Sequence, residues 1–306
     1  MPISANGGAQ REPEAGFTSR EETLDPTLLA RLVQQALEED GAWNDVTTTA
    51  TVEANQSGRA TVLVKGAGVL AGLSVMAATF AVVDRSLDFQ MLCLGGTRVQ
   101  PGDRVATIDG SYASILRGER VALNFLQRLS GVATQTARAV SAAAGTRARI
   151  VDTRKTTPGL RYLEKYAVRA GGGHNHRYNL ADGILIKDNH LAALRARGLG
   201  IADAVRLARE RSPHTLRIEL EVTSLAEVDE ALAVGAEIIL LDNMSAEEMR
   251  QAVERCRGHA LTEASGGIRP ETVREVAETG VDLISLGSLT HSAPALDISL
   301  ELELAE

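Results

Sequence analysis

The chain has 306 residues, 44% of them apolar, enough to bury a sizeable core and to exclude wholesale disorder. Lys and Arg total 32 against 40 Asp and Glu; a net charge of −8 offers no general attraction for nucleic acid or anionic membranes, and 3% aromatics leave little for stacking single-stranded bases. The two cysteines, Cys93 and Cys256, form no CxxC, which excludes a zinc–cysteine site and a disulfide framework and fits a reducing, cytoplasmic compartment.

Residues 1–22 mix Gly, Glu, Arg, Pro and Ser without an apolar segment, so they are no secretory signal and are expected to form a mobile tail. A helix should follow: Asp25 caps it, Pro26 takes its first position and Gly41 closes it, with Leu28, Leu29, Leu32, Val33, Ala36 and Leu37 at helical spacing. Strands are predicted at Arg59–Lys65 and Gly68–Gly72, a small-residue helix near Leu73–Asp84, and strands again at Leu87–Leu94 and around Arg98–Leu116. The uncharged stretch Gly66–Val83 is interrupted by three glycines, Ser74 and Thr79, so a turn, a strand and a buried helix explain it better than a membrane span. Leu94 to Ile108 has the turn–strand rhythm of a lipoyl or biotinyl carrier, but no Lys occurs between Lys65 and Lys155 to accept the group.

From Gly118 the period changes. Glu119–Ala144 reads as one long helix or two joined ones, with Val121, Leu123, Phe125, Leu126 and Leu129 in the core. Six strand-then-helix units follow, their strands at Ala148–Asp152, Gly183–Lys187, Leu216–Val222, Glu237–Asp242, Ala260–Ala264 and Leu283–Leu286. Short Ile/Leu/Val-rich strands separated by helices argue a parallel sheet buried on both faces, and this number of units favours an α/β barrel over an open sheet. No GxGxxG opens a helix here, against a dinucleotide-binding fold. The alternating stretch Leu296–Leu304 reads as a strand returning to the first domain.

Barrel chemistry sits at the carboxyl ends of the strands. Those ends read Asp152-Thr-Arg-Lys155, Ile186-Lys-Asp-Asn-His190, Glu219-Leu-Glu221, Leu241-Asp-Asn243, Glu263-Ala-Ser-Gly-Gly267 and Leu286-Gly-Ser288. Between Asp152 and His190 there are seven Lys/Arg and four Asp/Glu, whereas the rest of the chain has 25 and 36. A basic island in an acidic protein points to an anionic small substrate. Glu221 and Asp242 beside glycine-rich turns suit a Mg²⁺-bound polyphosphate, and Ser265-Gly-Gly267 with Gly287-Ser288 suit phosphate cradled by backbone N–H groups. Lys187 ends an apolar run, which favours a site role over a solvated one. Gly171-Gly-Gly173 reads as a loop that approaches ligand. His174, His176 and His190 form neither HxxxH nor HExxH, so no catalytic zinc is expected.

Taken together, Asp152-Thr-Arg-Lys-Thr-Thr-Pro-Gly-Leu-Arg161, Lys165-Tyr-Ala-Val-Arg169, Gly171-Gly-Gly-His-Asn-His-Arg177 and Ile186-Lys-Asp-Asn-His190 resemble quinolinate phosphoribosyltransferase, or nicotinate-nucleotide pyrophosphorylase (carboxylating). Glu119-Arg120, Leu123-Asn124 and Arg128-Leu-Ser-Gly131 match its long-helix motif. Leu241-Asp-Asn243, Ser265-Gly-Gly267 and Thr290-His291 match its later motifs. The resemblance spans Leu24 to Leu304.

It implies an N-terminal α/β sandwich domain over 23–127 with a return strand in 293–306. It implies an incomplete (β/α) barrel of TIM type over 128–292, and a homodimer at least, with Arg120 reaching the neighbour's site. It also implies a pentosyltransferase of NAD biosynthesis: quinolinate and phosphoribosyl pyrophosphate give nicotinate mononucleotide, pyrophosphate and CO₂, with Mg²⁺ and no organic cofactor. By resemblance Arg120, Arg154, Lys155, His176, Arg177 and Lys187 hold quinolinate. Lys155, Lys187, Glu221, Asp242, Ser265, Gly266, Gly267 and Gly287 hold phosphoribosyl pyrophosphate, with Glu221 and Asp242 facing the metal. Lys155, Lys187, Glu221 and Asp242 carry the catalytic roles. Two rivals stand beside this: a related phosphoribosyltransferase acting on another ring without decarboxylation, and a Schiff-base aldolase barrel using Lys187 or Lys155.

Overall fold

The structure, a computed structural model, describes residues 24–303. The expected tail over 1–22 lies outside them.

Helix α1 (Pro26–Asp40) starts where the cap residues place it. The Asp25 carboxylate accepts the Thr27 and Leu28 N–H groups, and Gly41 closes the helix at φ +68°. Its Leu29, Val33 and Leu37 are buried. A 3₁₀ turn (Ala42–Asn44) and α2 (Val46–Thr51) lead into β1 (Ser57–Val64), β2 (Gly68–Val69), α3 (Leu73–Val83), β3 (Asp88–Met91), β4 (Arg98–Val99) and β5 (Arg104–Ser111).

The expected strand reaching Leu116 is corrected here. The Ser111 hydroxyl caps a helix by accepting the Ser114 N–H, and α4 (Tyr112–Ala142) runs 31 residues, starting well before Glu119. Ile115, Gly118, Ala122 and Leu126 are already buried at helical spacing, which outweighs the β preference of Tyr112 and Ile115. Gly118 is required by packing, since a Cβ there would lie 3.0 Å from the Phe80 ring.

The second half alternates strand and helix: β6 (Arg149–Val151), α5 (Arg161–Ala170), β7 (Ile184–Ile186), α6 (Asp188–Arg195), α7 (Ile201–Arg211), β8 (Ile218–Val222), α8 (Leu225–Ala233), β9 (Ile238–Asp242), α9 (Ala246–Cys256), β10 (Leu261–Ser265), α10 (Val273–Ala277), β11 (Leu283–Ser285), α11 (Ser288–His291) and β12 (Ile298–Leu302). Six of these strands form one parallel sheet in the order β6-β11-β10-β9-β8-β7. The first and second strands do not pair, so the barrel is incomplete. The gap is entered by the segment after α5: His174 makes a parallel bridge to Val151 and donates its N–H to Ile150 O at 2.8 Å.

An antiparallel sheet, β12-β1-β5-β3, forms the other layer, with β12 running from Ile298 opposite Val64 to Leu302 opposite Ala60. Its buried face packs Val62, Val64 and Ile108 against Phe80, Leu123 and Leu126 of α3 and α4. The opposite side of α4 presents Phe125, Leu129 and Val132 to the barrel's helical shell, so this helix belongs to both cores. Among the described residues no helix is long and apolar enough to cross a membrane.

Candidate active site

Gly171 and Gly173 pack tightly against α4. A Cβ on Gly171 would lie 2.7 Å from Thr136 Cβ and one on Gly173 2.6 Å from Thr136 Cγ2. These glycines let the chain pass against α4, and the tight passage aims the next residues into the barrel gap.

A buried hub holds those residues there. Lys165 Nζ sits 2.6 Å from Asp152 Oδ1 and donates to His176 O at 3.0 Å. Asp152 also accepts the His176 N–H at 2.8 Å and the Asn175 side-chain amide at 2.7 Å. Burial pushes the Asp152 carboxyl up and the Lys165 ammonium down, and their mutual attraction opposes both shifts. A second buried carboxylate, Glu164, accepts from Arg128 at 2.7 Å and from the Thr157 N–H and hydroxyl, tying α4 and α5 to the loop after β6.

On this base stand the cations. Arg177 donates to Gly183 O at 3.1 Å, and its guanidinium is pushed down by burial and by the neighbouring Arg154 charge. Arg154 Nε is buried without a hydrogen-bond partner. Two cations drawn close in a partly dry setting favour an anion between them. His176 Nε2 lies 3.2 Å from Glu219 Oε2 and 3.5 Å from Glu263 Oε1. Burial lowers the His176 pKa, but the Glu219 and Glu263 carboxylates outweigh it and the net shift is upward. Burial, reinforced by the Glu219 charge, raises Glu263 to about 7.

Lys187 ion-pairs with Glu221 across the ends of β7 and β8. Asp242 accepts from its neighbour Asn243 at 2.8 Å. Asn243 has φ +54°, and its N–H donates to Ser265 O at 3.0 Å. That arrangement brings the Asp242 turn against Gly266, where a Cβ would lie 2.8 Å from Asn243 N. Gly267 follows at φ +60° with its backbone exposed. Lys155 lies against the last strand end. Its carbonyl accepts the Thr290 hydroxyl at 2.7 Å, and a Cβ on Gly287 would meet Lys155 Cδ at 2.9 Å. His190 is a helix-capping group whose Nδ1 accepts the Lys187 N–H at 2.9 Å.

The expected residues thus fall into linked groups: Arg154, His176 and Arg177; Lys187 and Glu221; Asp242, Ser265, Gly266 and Gly267; and Lys155 with Gly287. Arg120 stands apart on α4, exposed, 3.9 Å from Glu119. Two surface depressions, one beside Arg59 and Asp109 and one beside Arg31 and Glu38, hold none of these residues.

Glu221 and Asp242 are each engaged by the protein through one oxygen, at the ends of neighbouring strands. Two hard oxygen donors fit a Mg²⁺ that keeps water and takes phosphate oxygens, not a cage of protein ligands. Among the described residues a three-member group of metal-ligating type occurs at His176, Glu219 and Glu263, with ligand atoms within 4.8 Å. Sequence reasoning passed over Glu219 and Glu263. The pattern Ile-Glu-Leu-Glu-Val places Glu219 on the same strand face as Glu221, and this was the available signal.

Comparisons with known proteins identify the family. Residues 45–130 match the family model described as quinolinate phosphoribosyl transferase, N-terminal domain, and 132–301 match its C-terminal domain. The chain is 41% identical over 277 residues to a Bacillus subtilis protein named probable nicotinate-nucleotide pyrophosphorylase [carboxylating], covering 90% of this chain and 94% of that one. The crystal structure of NadC from Streptococcus pyogenes superposes with a TM-score of 0.87 at 43% identity, covering 92% of this chain and 99% of that one. The nicotinate-nucleotide pyrophosphorylase from Francisella tularensis gives a TM-score of 0.86 at 36% identity, covering 92% and 98%. The chain belongs to the quinolinate phosphoribosyltransferase family.

Proposed function

We propose that this chain transfers phosphoribosyl from phosphoribosyl pyrophosphate to quinolinate, releasing pyrophosphate and CO₂ and giving nicotinate mononucleotide. The observation that carries this reading is the set of charges at the strand ends: Arg177 feels the neighbouring Arg154 charge, and Glu221 and Asp242 end neighbouring strands. A ring with two carboxylates suits the arginines, whose guanidinium forks bind carboxylates bidentately. His176 belongs to the same wall, and Lys155 and Lys187 face both anions. Ser265, Gly266, Gly267 and Gly287 offer backbone to the 5′-phosphate.

The ring nitrogen attacks the anomeric carbon as pyrophosphate departs. Positive charge develops on the ribose, and Glu221 and Asp242 stabilise it. The same two carboxylates would hold Mg²⁺, which neutralises pyrophosphate charge when bound. Ribosylation makes the ring a pyridinium, whose positive nitrogen stabilises the electron pair left on C2 when the 2-carboxylate departs as CO₂; a proton from water then takes that pair and completes nicotinate mononucleotide. The protein's main work is to hold two mutually repelling anions in reacting geometry.

The same reading divides the chain into a sandwich over 23–127 with its return strand in 293–306 and a catalytic barrel over 128–292, in a cytoplasmic homodimer whose partner contributes Arg120. Incubation with quinolinate, phosphoribosyl pyrophosphate and Mg²⁺ tests it: nicotinate mononucleotide should form, and nicotinate should not replace quinolinate. Product from nicotinate alone would favour the non-decarboxylating rival.

A further inference from the structure

Both ring nitrogens of His176 are already engaged inside the protein. Nδ1 accepts the backbone N–H of Arg177 at 2.8 Å, so this nitrogen presents a lone pair. Nε2 faces Glu219 Oε2 at 3.2 Å and Glu263 Oε1 at 3.5 Å, so this nitrogen carries the proton. A second proton on Nδ1 would set two donors against each other at 2.8 Å. Glu219 and Glu263 have almost no exposed surface and do not bind one another, and both Glu263 oxygens and Glu219 Oε1 lack a hydrogen-bond partner. His176 thus links this carboxylate pair to the loop bearing Arg177. Below the ring, Asp152 and Lys165 fix the His176 N–H and C=O, so the main chain is clamped as well.

We propose that His176, Glu219 and Glu263 are positioning residues for quinolinate: the two carboxylates lock the ring as its Nε2–H tautomer, and Nδ1 holds the Arg177 amide so that the Arg177 guanidinium meets the substrate. This rests on the assignment of the site to quinolinate and changes the part His176 plays there, from a direct ligand to a support for Arg177. The upward pull of the carboxylates on the ring favours an imidazolium; the Arg177 amide opposes it, and the raised pKa of Glu263 offers another place for the proton. It also gives purpose to two buried carboxylates that would otherwise only repel each other.

The test begins with the wild-type protein, without substrate, uniformly labelled with ¹⁵N-histidine. The six histidines are few enough to assign His176 by comparison with His176→Gln. Near pH 7.5 the proposal expects a non-protonated Nδ1 and a protonated Nε2, unchanged when quinolinate is added. An imidazolium, a proton on Nδ1, or protonation of Nδ1 on adding quinolinate would overturn it. Kinetics supply the second arm. Glu219→Gln should raise the quinolinate KM at least fivefold, leaving kcat and the KM for phosphoribosyl pyrophosphate within threefold. Equal loss in both KM values, or no change in either, would overturn the positioning role. Calorimetry of wild-type protein with quinolinate separates this from the functional reading: absence of binding sinks that reading, while the tautomer measurement still decides the ring's state.

Discussion

Lys165 and Asp152 form an ion pair at 2.6 Å with side chains 1% and 0% exposed, directly beneath the backbone of His176. Removing one partner leaves a buried charge uncompensated, which costs about 3–5 kcal/mol. Lys165→Met should therefore lower the denaturation midpoint sharply, and Lys165→Met/Asp152→Asn should recover much of the loss. A single variant as stable as wild type would show that the pair does not hold the loop.

Arg177→Ala removes a cation from the proposed carboxylate pocket. Truncating one partner of a buried charge pair costs about 2–5 kcal/mol, so quinolinate binding should weaken by at least about thirtyfold. Turnover and KM within a factor of two of wild type would remove Arg177 from the site.

Gly287 leaves room for the stem of Lys155, since a Cβ there would lie 2.9 Å from Lys155 Cδ and 3.2 Å from His291 Nε2. Gly287→Ala should push the lysine aside and weaken phosphoribosyl pyrophosphate binding about tenfold, the cost of one charge-assisted hydrogen bond. Gly287 has an ordinary helical φ of −65°, so backbone strain does not confound the result, as it would at Gly267. Unchanged affinity would show that Lys155 does not depend on this space.

Much of this was legible in the sequence because strand ends in a parallel barrel are polar by position and stand out against Ile/Leu/Val runs. Lys155, Lys187, Glu221 and Asp242 stand out that way. Glu219 and Glu263 lie in the same strand-end stretches but receive no role from sequence, because a carboxylate below the rim looks like any other charge until its neighbours are known. Glycine reports close approach without saying what approaches, and at Gly171 and Gly173 the structure shows α4 doing so. The start of α4 is misplaced from sequence because Tyr112 and Ile115 suit a strand locally, whereas burial of Ile115, Gly118, Ala122 and Leu126 on one helix face is a tertiary matter.

Glu263 makes stability depend on pH. Its folded pKa is about 7 against an ordinary 4.5, so the folded state keeps a proton that the unfolded chain releases between those values. The stabilising contribution of that proton declines as pH rises through this window and is gone above about 7. Glu263→Gln cannot ionise, so its stability relative to wild type should increase from pH 5 to pH 8. A constant difference in denaturation free energy across that range would show that Glu263 titrates normally.

Arg120 is exposed on α4, apart from the strand-end residues, as a residue serving a second subunit would be. Arg120→Ala and Lys155→Ala proteins should each be inactive. Unfolded and refolded together at equal amounts, they should regain about a quarter of wild-type activity, since half the dimers are mixed and each carries one complete site. Mixed dimers without activity would place Arg120 outside the shared site.

The coupling of ribosyl transfer to carboxylate loss is tested most directly with quinolinate carrying ¹³C in its 2-carboxylate. With phosphoribosyl pyrophosphate and Mg²⁺, one labelled CO₂ should be released for each nicotinate mononucleotide formed, and none when phosphoribosyl pyrophosphate is withheld. Product that retains the label, or labelled CO₂ without nucleotide, would contradict the account.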